Sequence, residues 1–151
     1  MKKKFTSLFS LIFLVSFYTT TVNAKQKFGD YEGAIYVRNY DGDTITFNLP
    51  NLHPIIGEKI NIRVIGIDTP EIRGKCENEK YNAQQAQKMV ADILKDTEEI
   101  TLKNMERGKY FRIAADVSVD GEDLGKLLVE AGVAVRYGGG KKNYNWCEGW
   151  K

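Results

Sequence analysis

The spacing of apolar positions changes period three times along the chain. "EGAIYVRNY" alternates loosely and is rich in strand formers. "DTITFNL" alternates cleanly, with Ile45, Phe47 and Leu49 on one face and Thr44, Thr46 and Asn48 on the other. "NLHPIIGE" reads as a loop, marked by Pro54 and Gly57, and "KINIRVIGI" as a third strand that turns apolar on both faces. The period then lengthens. From Asn78 to Lys95, Tyr81, Ala86, Met89, Val90, Ile93 and Leu94 recur at three- and four-residue spacing, which predicts an amphipathic helix. "EEITLKN" and "RIAADVSVDG" return to strands, joined through "MERGKYF". Leu124, Leu127, Leu128 and Ala131 predict a short helix that Gly132 ends.

Three strands, a helix, two strands and a helix predict an α+β domain. The expected form is a five-stranded OB-type β-barrel with an inserted amphipathic helix and a short C-terminal helix. No internal repeat or low-complexity linker divides it. The tail "YGGGKKNYNWCEGWK" is glycine-rich and aromatic and reads as irregular.

The first 24 residues change the picture of charge. Lys2 to Lys4 form a basic start, Phe5 to Phe17 an apolar core, and Val22-Asn23-Ala24 a run of small residues suited to a signal peptidase. The apolar core falls short of the roughly 20 residues a spanning helix needs. Residues 1–24 are therefore expected to be a signal peptide and 25–151 the working domain, secreted or periplasmic. Three lysines and no acids leave with the leader, so 19 basic face 20 acidic residues. That balance argues against a strongly basic nucleic-acid coat and requires any phosphate binding to be local. Cys76 and Cys147 are the two cysteines. In an exported chain an even count reads as one disulfide, two unrelated free thiols being the other reading. A loop of that size is worth about 4 kcal/mol in the chain-entropy description.

Candidate chemistry gathers at strand ends. Asp43 shares parity with Ile45 and Phe47 and so tips inward, where a carboxylate is costly without a cation or several donors. Asp41 can satisfy itself by capping the turn over Gly42. Asp68 and Glu71 follow the third strand in "IGIDTPEI", either as ordinary turn residues or as a second acidic cluster. Asp43 and Asp68 together offer hard oxygen ligands suited to calcium or magnesium. A single histidine argues against zinc or copper. Arg63, inside the third strand, and Arg112, opening "RIAADV", could clamp a phosphodiester or form structural ion pairs. Strict alternation sets Arg63 and Asp68 on opposite faces, so they share a site only if the strand bends between them. Gly66 is the obvious place.

"DGDT", then "RVIGIDTPE", then "KYFRIAADVSVDG" resemble the staphylococcal nuclease (thermonuclease) family in order and spacing, from about Tyr36 to Tyr137. The resemblance implies an OB-type barrel and a Ca²⁺-dependent phosphodiesterase acting on DNA and RNA, leaving 3′-phosphate and 5′-hydroxyl ends. By position, Asp43 and Asp68 look like the calcium carboxylates and Thr69 like the carbonyl ligand beside them. Glu71 looks like the general base, and Arg63 and Arg112 like the pair that stabilises the transition state. Lys109, Tyr110 and Tyr137 match nucleotide-side positions more loosely. The run Gly108-Lys109-Tyr110-Phe111-Arg112 lacks an acid and a glycine of the family pattern, and Phe111 bears on how Arg112 is aimed.

The expected function is a monomeric, exported, sugar-nonspecific nuclease. One competitor is a catalytically inactive OB module that binds nucleic acid or protein. Such modules characteristically lose the acidic and arginine positions, which are present here. The other is a structural calcium-binding domain, in which Arg63 and Arg112 need not converge on the metal. Trp146 is expected to pack rather than stack on bases, and His53 to lie on the surface.

Overall fold

The computed structural model describes residues 26–108 and 112–148. The expected leader, Lys109, Tyr110, Phe111 and Trp150 lie outside the described residues. The elements in chain order are β1 (Tyr31–Glu32), β2 (Ile35–Asn39), β3 (Thr44–Asn48), α1 (Pro54–Gly57), β4 (Ile60–Val64) and β5 (Ile67–Asp68). They continue with α2 (Glu77–Asp96), β6 (Ile100–Arg107), β7 (Ile113–Val119), β8 (Glu122–Asp123), α3 (Leu124–Glu130) and β9 (Val135–Arg136).

The main sheet runs β1-β6-β7-β4-β3-β2, with β8 on β7, and β5 pairs separately with β9. Pairing is antiparallel except between β4 and β7. Only Gly33 and Ala34 separate β1 from β2, with Gly33 at φ +74°. One stretch of chain thus pairs with β6 at one edge and β3 at the other, and the sheet curls closed through that bend. The five long strands, β2, β3, β4, β6 and β7, are the five read from the sequence.

Alternation does what its period demands. Ile45, Phe47, Ile62, Val64, Leu102 and Val117 fill the barrel; Ala86, Val90 and Leu94 of α2 and Leu124 and Leu128 of α3 close over the same core. Gly132, at φ +76°, ends α3 as its αL residue. The α2 stripe differs from expectation at its start. Tyr81 is 61% exposed, and the buried face there is Glu79, Asn82 and Ala83. The strand expected to stop near Asn104 instead continues to Arg107 through a bulge between Lys103 and Glu106. Asn104 takes φ +53° at that bulge and is held by Asp30 Oδ1 at 2.7 Å and Asp116 Oδ2 at 2.8 Å.

Candidate functional site

The turn between β2 and β3 is built by its own acid. Asp41 Oδ1 accepts from the amides of Asp43 at 3.1 Å and Thr44 at 2.7 Å, as a turn-capping aspartate should. Asn39 Nδ2 donates to Asp41 O and to Gln87 O of α2, while Gln87 Nε2 donates back to Tyr40 O at 2.8 Å. The helix therefore braces the turn. Gly42 is wedged between them: a Cβ there would lie 2.8 Å from Thr69 Cγ2 and 3.1 Å from Ala86 Cβ.

Asp43 is buried as its parity requires. Its Oδ1 contacts Arg63 Nη1 and accepts from Thr44 Oγ1, and its Oδ2 accepts from the Thr69 amide at 3.2 Å. Arg63 sits opposite Thr44 on β4. The expected bend is present: β4 stops at Val64, Gly66 takes φ +80°, and β5 starts at Ile67. That bend returns Asp68 to the Arg63 side, with Arg63 Nη2 3.6 Å from Asp68 Oδ1 and 3.2 Å from Ile67 O. Arg112, just before β7, lines the same cleft as Arg63, whose walls also include Gly66, Glu106, Tyr137 and Gly140.

Glu71 lies in a short connection fixed by another acid. Buried Glu79, in the first turn of α2, accepts from the Lys75 amide at 2.8 Å and the Glu71 amide at 3.5 Å. Gly74 leaves room for it, since a Cβ would lie 2.5 Å from Glu79 Cγ. The Cys76–Cys147 disulfide then ties this connection to the tail.

The tail enters the site in a way the sequence analysis missed. Lys142 Nζ lies 2.6 Å from both Asp68 Oδ1 and Glu71 Oε1. Trp146 is buried, as expected of a packing residue, and its Nε1 also donates to Asp68 Oδ2 at 3.3 Å. One signal pointed there: Glu71 lies five residues before Cys76, and Lys142 five residues before Cys147. The disulfide thus brings the acid and the amine together.

Electrostatics follow from this crowding. Burial, then repulsion from Glu71, raise the Asp41 pKa against the Thr44 hydrogen bonds and Arg63. Burial lowers the Arg63 pKa, opposed by Asp41, Asp68 and Glu71 and helped by Arg112, so the two guanidinium groups sense each other. Burial works against the Lys142 ammonium, yet Asp68 and Glu71 outweigh it and hold its pKa above the ordinary lysine value.

A family model described as Staphylococcal nuclease homologue matches residues 61–146, more than half of the chain. The chain belongs to that family. No match was found among curated proteins. The curled sheet with its helices is the OB-type architecture this membership implies. A nuclease homologue is a nuclease or a nucleic-acid-binding module, and family members are usually Ca²⁺-dependent. The Asp41–Thr44 turn lies upstream of the matched segment, so its place beside Arg63 and Asp68 rests on the geometry alone.

The donors of this nuclease homologue fit a hard cation. Asp43 and Asp68 are buried carboxylates on adjoining strand ends, joined by the Asp43–Thr69 hydrogen bond. Asp68 Oδ1 and Thr69 Oγ1 are buried without an aligned hydrogen bond among the described residues. The other acid-and-cysteine grouping, Cys76, Glu79 and Cys147, offers no thiolate because its cysteines are bonded to each other. Of the positions expected on the nucleotide side, Tyr137 lines the cleft, its amide donating to Gly66 O and its hydroxyl to Gly140 O. Lys109 and Tyr110 lie outside the described residues. His53 is exposed, as expected, and its Nδ1 accepts from the Ile55 amide.

Proposed function

We propose that this protein is a calcium-dependent endonuclease that hydrolyses phosphodiester bonds of DNA and RNA with little sequence preference, leaving 3′-phosphate and 5′-hydroxyl ends. The observation that carries the reading is that Arg63 and Arg112 line one cleft while Arg63 also reaches Asp43 and Asp68, the latter joined to Glu71 through Lys142. A purely structural calcium-binding domain has no use for that second arginine.

The chemistry of each group follows from its position. Asp43, Asp68 and the Thr69 carbonyl would hold Ca²⁺, which when bound supplies positive charge to the phosphate. Arg63 and Arg112 hold the non-bridging oxygens and stabilise the more highly charged, crowded transition state. Glu71 orients the attacking water and accepts its proton. Lys109, Tyr110 and Tyr137 contact the nucleotide, and stacking on a tyrosine is indifferent to base identity. Residues 1–24 direct export and are removed, and the mature protein acts as a monomer outside the cytoplasm.

Cleavage of single- and double-stranded DNA and of RNA, with Ca²⁺, with Mg²⁺ and with chelator, tests this. Ca²⁺-dependent products carrying 3′-phosphates support it. A folded, calcium-loaded protein that binds nucleic acid without cutting it would leave the second reading, a binding module. The ion pair of Glu71 with Lys142 favours that second reading, because it occupies the acid that must handle water.

A further inference from the structure

Asp68 has a close neighbour of a different kind on each oxygen, with Arg63 Nη2 farther off at 3.6 Å from Oδ1. Oδ2 accepts from Trp146 Nε1, a neutral donor held in place by the adjoining disulfide. Oδ1 faces the Lys142 ammonium at 2.6 Å, which also touches Glu71 Oε1. The lysine is anchored less firmly than the tryptophan: its side chain is 41% exposed, and Gly138, Gly139 and Gly140 precede it, the last two at φ +94° and +86°. The backbone before it can swing at little steric cost. Trp146 and Cys147 would keep the rest of the tail in register meanwhile.

Two cations cannot both sit at contact distance on one carboxylate oxygen cheaply; Arg63 stands back from this one at 3.6 Å. An ion at ligand distance from Asp68 Oδ1 would meet an ammonium a few ångströms away, and that repulsion is poorly screened beside a buried carboxylate. We propose that Lys142 is the resident counter-cation of Asp68 and Glu71, and that a divalent metal gains the site by displacing it. Lys142 thereby sets the metal affinity. Displacement also frees Glu71 from its ion pair, so metal entry and release of the water-handling acid become one event. This rests on the metal-binding reading of Asp43 and Asp68.

The test is Ca²⁺ binding by titration calorimetry to the full oxidised protein and to Lys142→Met, Lys142→Arg and Asp68→Asn. Lys142→Met should bind about tenfold tighter and Lys142→Arg close to wild type, since arginine keeps the competing charge. Affinity that is equal or weaker in Lys142→Met overturns the proposal while leaving the metal site intact. Lys142 is then only a clasp for the tail. No binding to wild type or to either Lys142 variant removes the metal reading and this proposal with it. Should Lys142→Met not fold, the lysine ammonium ¹H–¹⁵N signals of the wild type decide. The Lys142 signal, identified by its loss in Lys142→Arg, should shift and broaden towards solvent exchange as Ca²⁺ is added. A signal unchanged at saturating Ca²⁺ refutes displacement.

Discussion

Glu71 and Arg112 carry separable parts of the proposed reaction. Replacing Glu71 by Gln keeps the shape and removes the base, so cleavage should slow by roughly two to four orders of magnitude with nucleic-acid binding largely retained. Arg112→Ala should cost transition-state stabilisation on the order of 3 to 5 kcal/mol, read from kcat/KM. Normal cleavage by either variant excludes that residue from the chemistry. Gly42 fails differently. The methyl of Gly42→Ala would push into Thr69 Cγ2 and Ala86 Cβ, an overpacking worth about 1 to 3 kcal/mol in urea unfolding. Thr69→Ser removes the methyl it strikes and keeps the Thr69 carbonyl, so the double variant should recover part of the loss. No recovery would mean that Ala86 Cβ and Thr69 Cβ, both 3.1 Å from the new methyl, set the limit.

At the level of elements, one bend and one brace make the site. Gly66 turns Asp68 back towards Arg63, and the Asn39–Gln87 hydrogen bonds hold the Asp41–Thr44 turn on α2. Tyr36 completes the brace by donating to Asn39 Oδ1 at 2.6 Å, and burial raises its pKa above 10.0. A raised pKa means that the native state holds the proton more tightly. The stability this confers is full below pH 10 and lost as pH climbs through the raised value. Tyr36→Phe should therefore be less stable at neutral pH, by about 1 kcal/mol for the lost hydrogen bond. The gap should narrow above pH 10 in denaturation measured across pH. A constant gap would mean that the hydroxyl titrates alike in both states.

Much of this was legible in local pattern. The parity of Asp43 with Ile45 and Phe47, the capping role of Asp41 and the bend at Gly66 are short-range properties, and the structure has all three. What the pattern hid is non-local or overrides propensity. Tyr81 matched the apolar period but lies on the outer face of α2, whose covered face there is Glu79, Asn82 and Ala83, with Glu79 turned inward to hold a loop. Asn104 suggested a strand end, yet its side chain supports a bulge through which β6 continues. Lys142 sits in a glycine-rich tail with no period at all, and only the covalent bond to Cys76 locates it.

For the molecule as a whole, the Cys76–Cys147 bond couples the Glu71 connection to the tail. Loop closure alone makes reduction a loss of stability. With Lys142 and Trp146 on Asp68, two effects should come together: reduced protein should unfold at lower temperature and also show altered Ca²⁺ affinity while still folded. Unchanged affinity in folded, reduced protein would separate the tail from the site. The sheet closure at Gly33 and Ala34 is independent of the disulfide and should persist as native-like far-ultraviolet circular dichroism.

The bridge between Cys76 and Cys147 closes a covalent ring across a sequence separation of 71, enclosing α2, β6, β7 and α3. Any single protease cut within that ring leaves both fragments joined. A nick at the exposed Gly138–Gly140 run would sever the chain but keep the Lys142–Cys147 peptide moored beside Glu71. Digestion should therefore give one band on a non-reducing gel and two on a reducing one. A single cut inside the ring nicks the protein without dividing it.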